Sequence, residues 1–260
     1  MSLQDVKNSI LDFLFPPFCV ACARPGSWWC AECRGATQKL EDEVCSKCLK
    51  FLPSLPEEGL GVVSIDCEVE ARHNCDGCLP FESVHVLGYY HDPKLRAAIT
   101  ALKFNGSTAL LDDIGSFIRN RLSRSPSDFF ADSVLVPMPL SEKRLKERGF
   151  NQAQLIADSI VSSSEFRVSR FDEHHPRNSK LATRNCLFRS HRDPQSSLSH
   201  ELAARQANIH GCFAVQVPVP KNVILVDDVI TTGATAAEAA RALLANGAEN
   251  VSVLALAIGA

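Results

Sequence analysis

The sequence predicts an α/β protein in which a parallel-sheet domain follows a small cysteine-rich module. Nine of the eleven cysteines lie between residues 19 and 78. From residue 81 onward, short apolar runs alternate with segments of helical periodicity, the pattern of parallel βα units. A chain of 260 residues is long enough for one ordinary domain and a small module. We therefore expect a cysteine-rich module at 1–80 and an α/β domain at 81–260.

The spacing of apolar residues predicts the elements of the second domain. Leu95, Ile99 and Leu102, for example, recur at helical spacing. Strands are predicted at 83–90, 133–136, 223–226 and 251–258, and helices at 94–104, 109–122, 151–162 and 235–246. The last strand–helix–strand unit predicts parallel pairing with a right-handed crossover. The polar segment 171–205 is predicted to be irregular.

The most informative segment is 222–235, which reads Asn-Val-Ile-Leu-Val-Asp-Asp-Val-Ile-Thr-Thr-Gly-Ala-Thr. Its apolar run predicts a buried strand, and Asp227 and Asp228 stand where this strand is expected to end. Carboxylates there are costly unless something binds them, and in α/β sheets ligands bind at this edge. The pair suits the vicinal hydroxyls of a ribose, and also Mg²⁺, which prefers oxygen ligands.

The loop after the pair has the features of a phosphate site. Backbone N–H groups at a helix start attract anions, and Gly233 lets the backbone approach a ligand closely. A phosphate and a diol held by one turn describe a ribose 5-phosphate. The alternative is an ordinary strand–turn–helix with a solvated Asp pair. The loop residues are Thr231, Thr232, Gly233, Ala234 and Thr235.

Segment 223–235 resembles the phosphoribosyl pyrophosphate (PRPP) fingerprint of type I phosphoribosyltransferases. That pattern is four apolar residues, two acids, two variable residues and Thr-Thr-Gly-Ala/Ser-Thr, and every fixed position is matched. The resemblance implies a type I phosphoribosyltransferase-like domain that binds PRPP with Mg²⁺. It makes Asp227 and Asp228 catalytic and PRPP-binding residues, and the loop 231–235 the site of the 5-phosphate.

A cationic segment precedes this fingerprint in the chain. After a predicted strand and the turn Pro137-Met138-Pro139 come Lys143, Arg144, Lys146 and Arg148. Arginine forks bind phosphate in bidentate fashion, and clustered cations suit pyrophosphate as a leaving group. The alternative is a solvated helix face on which two glutamates, Glu142 and Glu147, pair with these cations.

Residues 148–152, Arg-Gly-Phe-Asn-Gln, resemble a signature of the ComF family, which includes ComFC competence proteins and GntX-like proteins. That family joins an N-terminal cysteine-rich zinc finger to a type I phosphoribosyltransferase-like domain. Further landmarks in order are Tyr90, the stretch 102–104, Gln195, Leu198, Arg205 and Asn208; Arg192 stands where the family usually has Thr.

The resemblance assigns further residues to the site. It implies that Arg148 is catalytic and that Lys103, Arg144 and Arg148 contact pyrophosphate. Residues 172–205 correspond in order to the flexible hood of type I phosphoribosyltransferases. Lys180, Arg184 and Arg205 could then meet pyrophosphate or a partner, or lie in a solvated loop.

Eight cysteines form four Cys-x-x-Cys pairs. Two such pairs supply four thiolates to a tetrahedral zinc, so we expect two zinc sites. A disulfide framework is the alternative, but no secretory signal accompanies it. Adjacent and interleaved pairings are both open. Trp28 and Trp29 lie between two pairs and either fill the module core or stack on bases. The expected ligands are Cys19, Cys22, Cys30, Cys33, Cys45, Cys48, Cys75 and Cys78.

Two functions follow from these expectations. The first is a phosphoribosyltransferase, which transfers the pentosyl group of PRPP to an unknown acceptor, acting in competence or DNA uptake. The alternative is a non-enzymatic DNA-uptake factor that senses PRPP or a nucleotide and binds single-stranded DNA or a competence helicase. The net charge of −3 means that any nucleic acid must bind a local patch. The sequence shows neither a membrane-spanning run nor a signal peptide, so we expect no membrane insertion and a cytoplasmic location.

Overall fold

The computed structural model describes residues 16–40, 43–49, 51–52, 79–105, 108–122, 129–130, 132–162, 181–189, 211–216 and 218–259. The helices are α1 (Ala31–Gly35), α2 (Pro93–Asn105), α3 (Thr108–Leu122), α4 (Glu142–Arg148), α5 (Gln152–Ser162) and α6 (Ala234–Leu244). The strands are β1 (Glu43–Val44), β2 (Phe51–Leu52), β3 (Val84–Val86), β4 (Val134–Pro137), β5 (Ala182–Thr183), β6 (Leu187–Arg189), β7 (Phe213–Val215), β8 (Asn222–Ile230) and β9 (Asn250–Ile258).

A five-stranded sheet in the order β3-β9-β8-β4-β5 forms the centre of the protein, and each neighbouring pair is parallel. The central pair, β8 and β9, is in register from Asn222 opposite Asn250 to Ile230 opposite Ile258. Strands buried on both faces need apolar residues at nearly every position, which explains their continuous apolar runs. The predicted α/β fold with a parallel sheet is therefore confirmed.

Side chains of β8 alternate between two cores, as the period of a strand requires. Val223 and Leu225 pack in one core with the alanines of α6. Ile224 and Val226 pack in the other core with α2, α3 and α5. The sheet is thus covered on both faces, and its carboxyl edge is left for the loops that follow β4 and β8.

The observed strand β8 is longer than predicted. The prediction ended it at residue 226, but pairing with β9 continues through Asp227 and Val229 to Ile230. The predicted 83–90 strand is shorter, since only Val84–Val86 is regular, although Tyr89 still bridges to Ile258. Sequence patterning missed β5 and β6 in the segment expected to be irregular, because strands of two or three residues carry no periodic signal.

The first cysteine segment is packed onto the α/β domain. Trp29 is fully buried, and its ring centroid lies 5.0 Å from that of Phe117 in α3. The backbone N–H of Trp29 donates to Asp113 at 2.8 Å, and Arg34 forms an ion pair with the same carboxylate. Trp29 therefore fills a core that the two parts of the chain share. The domain boundary at residue 80 stays a prediction.

Several expectations concern residues outside the described ranges. They are Cys75, Cys78, Lys180, Gln195, Leu198, Arg205, Asn208 and the parts of the hood at 172–180 and 190–205. Within the part of the chain that the structure describes, no helix has the length and apolar character needed to span a bilayer.

Candidate functional site

A cavity of about 970 Å³ opens at the carboxyl edge of the sheet. The structure brings to it the site residues, other than cysteines, that the sequence predicts. They come from α2, from α4, from the carboxyl-terminal part of β8, from the loop before α6 and from the first turn of α6. They are Lys103, Arg144, Arg148, Asp227, Asp228, Thr231, Thr232, Gly233, Ala234 and Thr235.

The two aspartates differ in their surroundings. Asp228 is 5% exposed, and the ammonium of Lys103 lies 3.1 Å from its Oδ2. This is an ion pair by distance, although Oδ2 accepts no hydrogen bond of normal geometry among the described residues. Asp227 is partly exposed, and its Oδ1 accepts the N–H of Asp228 at 2.8 Å. Lys103 thus offsets much of one negative charge and leaves the other carboxylate less compensated.

These surroundings shift the pKa of Asp227. Burial first, and the neighbouring Asp228 carboxylate second, raise the pKa of Asp227 to about 7, against smaller lowering effects of the Asp228 N–H and Lys103. Near neutral pH the pair therefore retains a proton for part of the time. A bound cation, or hydroxyl groups that donate to Asp227, would favour its ionised form.

The loop between β8 and α6 leads into the amino-terminal end of α6. Gly233 precedes α6 with a φ of 72°, which a side chain disfavours, and its carbonyl accepts the N–H of Ala237 at 2.7 Å. Gly233 is the N-cap residue of α6. Because glycine has no side chain, it makes no side-chain hydrogen bond to the first-turn N–H groups. Such a helix start carries partial positive charge and amide donors, which is the arrangement that binds phosphate.

The Arg-Gly-Phe-Asn-Gln segment forms a turn that places Arg148 in the cavity. Gly149 ends α4 in the left-handed region, with its N–H donating to Leu145 at 2.8 Å. Asn151 caps α5 through Ala153 and also donates to the carbonyl of Met138 at 2.9 Å. Arg148 in turn donates to Gln152, which is buried, at 3.0 Å. The motif therefore links α4, α5 and the end of β4.

The cavity is net basic although the chain is acidic. Six cationic side chains and four carboxylates line it. An anion with several charges is the ligand that such a lining favours. The cations are Lys103, Lys143, Arg144, Lys146, Arg148 and Arg189.

Two residues of the lining had no assigned contact in the sequence analysis. Tyr90 was only a family landmark, and its ring lies 5.7 Å from the Arg96 guanidinium and 6.0 Å from the Lys103 ammonium. Arg189 lies in the short strand β6, where no periodic signal marks it. Arg184, expected in the hood, is exposed, donates to the carbonyl of Pro218 at 3.2 Å and does not line the cavity.

A second cluster consists of the first four cysteines. The sulfur atoms of Cys19, Cys22, Cys30 and Cys33 all lie within 4.8 Å of one another, and those of Cys22 and Cys30 are 3.7 Å apart. Tetrahedral zinc with four thiolates requires sulfur atoms about 3.8 Å apart. The cluster could therefore hold a metal such as zinc, and for these two pairs the adjacent pairing is the one the structure supports.

Backbone donors prepare this cluster for a metal. Cys19 accepts the N–H of Cys30 at 3.4 Å, and Cys30 accepts that of Cys33 at 3.5 Å. Burial acts to raise the pKa of Cys19, but backbone N–H groups outweigh it and lower that pKa to about 6. Burial and the neighbouring cysteines raise the pKa of Cys33. Metal binding would therefore release protons.

The second predicted zinc site is only partly described. Cys45 is buried and Cys48 is partly exposed, in the turn that follows β1. Their expected partners, Cys75 and Cys78, lie outside the described residues, so a second site stays a prediction.

The fold and the cavity define an α/β protein with a basic crevice at the carboxyl edge of a parallel sheet. No family model matches the chain. It is similar to competence protein ComFC of Bacillus subtilis, with 28% identity over 86% of this chain and 81% of that protein. It is also 28% identical to DNA utilization protein YhgH of Escherichia coli K12 over 92% of this chain and 95% of the relative. Competence protein F of Haemophilus influenzae is 27% identical, with 88% and 96% covered. These relatives support the predicted ComF family membership.

Zinc content tests the cysteine cluster. We expect the purified chain to carry about two zinc ions, and Cys22→Ser to lower the content by about one because a tetrahedral site loses a ligand. Elemental analysis measures this. Cys186→Ser is the control, since Cys186 is buried outside the cluster. Wild-type protein without zinc, or an unchanged content in Cys22→Ser, would contradict the assignment.

The raised pKa of Asp227 predicts that the substitution Asp227→Asn stabilises the fold, and that this stabilisation depends on pH. The folded chain holds this proton up to about pH 7, whereas an unfolded Asp releases it near pH 4, so stability falls as pH rises through this window. Asp227→Asn removes the penalty and should stabilise the fold by about 1–2 kcal/mol at pH 8, and by less at pH 5. Thermal unfolding at both pH values measures the difference. Asp132→Asn, on the exposed surface, controls for the charge change; an equal gain at both pH values for Asp227→Asn would refute this explanation.

Proposed function

We propose that the chain is a phosphoribosyltransferase-like protein that binds PRPP with Mg²⁺ in the cavity at the carboxyl edge of the sheet. One observation carries the proposal: an acidic pair, an uncapped helix start and a basic group line the same cavity. PRPP offers a diol, a 5-phosphate and a pyrophosphate, one for each of these features. A cavity of about 970 Å³ is ample for a ligand of this size.

Each part of the cavity has a role in this proposal. The loop 231–235 holds the 5-phosphate with backbone N–H groups and hydroxyls. Asp227 and Asp228 accept hydrogen bonds from the ribose diol. Lys103, Arg144 and Arg148 contact the pyrophosphate, and Gln152 orients Arg148 for that contact.

The reaction proposed for this site is displacement at C1 of the ribose. The bond from C1 to pyrophosphate breaks with its electron pair leaving on pyrophosphate, and the acceptor forms a new bond to C1 and gives up a proton. Asp227 and Asp228 stabilise the positive charge on the sugar, while the cations stabilise the departing group. Mg²⁺, held with PRPP near the two aspartates, would supply further neutralisation of pyrophosphate. Positioning of both ends of PRPP accounts for much of the expected effect.

We further propose that this chemistry or ligand sensing serves DNA uptake in the cytoplasm. The names of the relatives, competence protein and DNA utilization protein, support this setting. The acceptor is unassigned, since none of the residues lining the cavity identifies a base or an amine.

A second candidate function, binding of single-stranded DNA, rests on the surface beside the cavity. Phe104 is 75% exposed and lines a smaller basic pocket with Lys103, Arg144 and Arg148. On its other side it borders a groove that contains Arg96. Exposed aromatic rings among cations bind single strands by stacking on bases and neutralising phosphates. A competence helicase as partner stays an expectation of the family resemblance.

Titration of PRPP with Mg²⁺ tests the first function. Asp227→Asn combined with Asp228→Asn should weaken PRPP binding by roughly 100-fold or more, because two charged acceptors for the diol are lost. Calorimetry measures the affinity, and circular dichroism confirms the fold.

The matched control for this titration is the pair Asp132→Asn and Asp158→Asn, two exposed aspartates outside the cavity. It should bind PRPP as wild type does. Equal affinity in wild type and in the cavity double variant would refute the assignment of the diol to the aspartates.

Binding of a fluorescent oligothymidine tests the second function. Phe104→Ala should weaken it about 5- to 100-fold through lost stacking. Arg144→Ala should reduce the salt slope of the binding constant by about 1, because one phosphate contact is lost. Val161→Ala, an exposed apolar residue on α5 that lines neither pocket, is the control. Unchanged affinity in Phe104→Ala would exclude this surface as the DNA site.

A further inference from the structure

The loop at 231–235, called the phosphate loop below, contacts the part of the chain that carries Cys45 and Cys48. A methyl group built on Gly233 would lie 2.6 Å from Cδ1 of Leu49 and 3.1 Å from Cδ1 of Leu79. Both distances are shorter than normal carbon–carbon contacts. The two leucines therefore occupy the space next to Gly233 that a side chain would need, and they back the loop from the side of the cysteine-rich segment.

Leu49 is held in place by the turn that contains Cys45 and Cys48. Its N–H donates to the carbonyl of Cys45 at 2.8 Å, and its φ of 58° lies in the left-handed region, which is unfavourable for leucine. Leu79 is tied to the same turn, since its N–H donates to the carbonyl of Lys47 at 3.0 Å. The side chain of Leu49 is nearly fully buried, so packing stabilises this backbone conformation.

The loop has few contacts of its own that could fix its shape. Thr232 accepts the N–H of Ala234 only at 3.5 Å. Gly233 is a glycine, the residue type with the greatest backbone conformational freedom. Thr231 and Thr232 are exposed, whereas Gly233 is buried beneath the leucines. The contact with Leu49 and Leu79 thus adds a packing restraint to the hydrogen bond between the Gly233 carbonyl and Ala237.

We propose that Leu49 is a positioning residue for the phosphate loop, and that it couples the cysteine turn at 45–48 to ligand binding. The inference rests on the proposed function for the identity of the ligand. Leu49 keeps the amides of 232–235 in the geometry that an anion needs before the anion arrives. When the loop samples other conformations, the apparent affinity equals the intrinsic affinity multiplied by the fraction of molecules that retain this geometry.

Hydrogen exchange of the ligand-free protein tests the positioning directly. Leu49→Ala should increase the exchange rate of the amides at 232–235 by about fivefold or more, because local opening becomes easier. Leu49→Met, which refills the space with a side chain of similar volume, should restore slow exchange. Leu40→Ala is the matched control, since Leu40 is a leucine of nearly equal burial in the same core and does not contact Gly233. All variants are compared at a temperature where circular dichroism shows them folded.

Titration with ribose 5-phosphate supplies the second readout. Leu49→Ala should lose about tenfold in affinity, while Leu40→Ala and Leu49→Met stay near wild type. Unchanged loop exchange in Leu49→Ala overturns the inference, as does an equal effect of Leu40→Ala. Faster exchange at 232–235 together with no binding of PRPP and Mg²⁺ by wild type sustains the positioning role and refutes the proposed function. The two claims are therefore separable.

Discussion

Asp227 and Asp228 lie side by side in the carboxyl-terminal part of β8, a strand that is buried along most of its length, and the site is organised around the cost of that placement. Two adjacent carboxylates in a poorly hydrated position repel each other, and each loses hydration. Lys103 from α2 compensates Asp228, and the raised pKa of Asp227 shows that compensation is incomplete. A ligand with hydroxyl donors, or a cation, would reduce this repulsion between the carboxylates. Ligand binding would therefore offset the electrostatic cost of placing two aspartates at this edge.

The surrounding architecture brings opposite charge and donors to the same edge. Parallel strands place the ends of β4 and β8 together, so the turn after β4 leads into α4 and its cations next to the loop that begins α6. Gln152 accepts a hydrogen bond from Arg148, and Asn151 ties the adjoining turn to Met138. The cysteine-rich segment contributes from behind, through Trp29 on α3 and Leu49 on Gly233. Its role in the site is therefore mechanical support, in addition to any surface it offers to a partner.

The sequence allowed most of the sheet and the composition of the cavity to be predicted, because buried parallel strands and a helix-start loop leave strong local patterns. The continuation of β8 past Val226 was not predictable, since two carboxylates normally end a buried strand and only its pairing with β9 shows otherwise. Arg189 and Tyr90 reach the cavity through tertiary packing that no local pattern records. The contact between Leu49 and Gly233 joins residues far apart in sequence, and neither residue signals it alone.

A crystal structure of the protein with PRPP and Mg²⁺ would test the central claim most directly. The account predicts the 5-phosphate on the amides of 231–235, the ribose diol on Asp227 and Asp228, and pyrophosphate beside Lys103, Arg144 and Arg148. PRPP bound elsewhere, or bound in the cavity with its pyrophosphate on the 231–235 loop and its diol away from the aspartates, would contradict it.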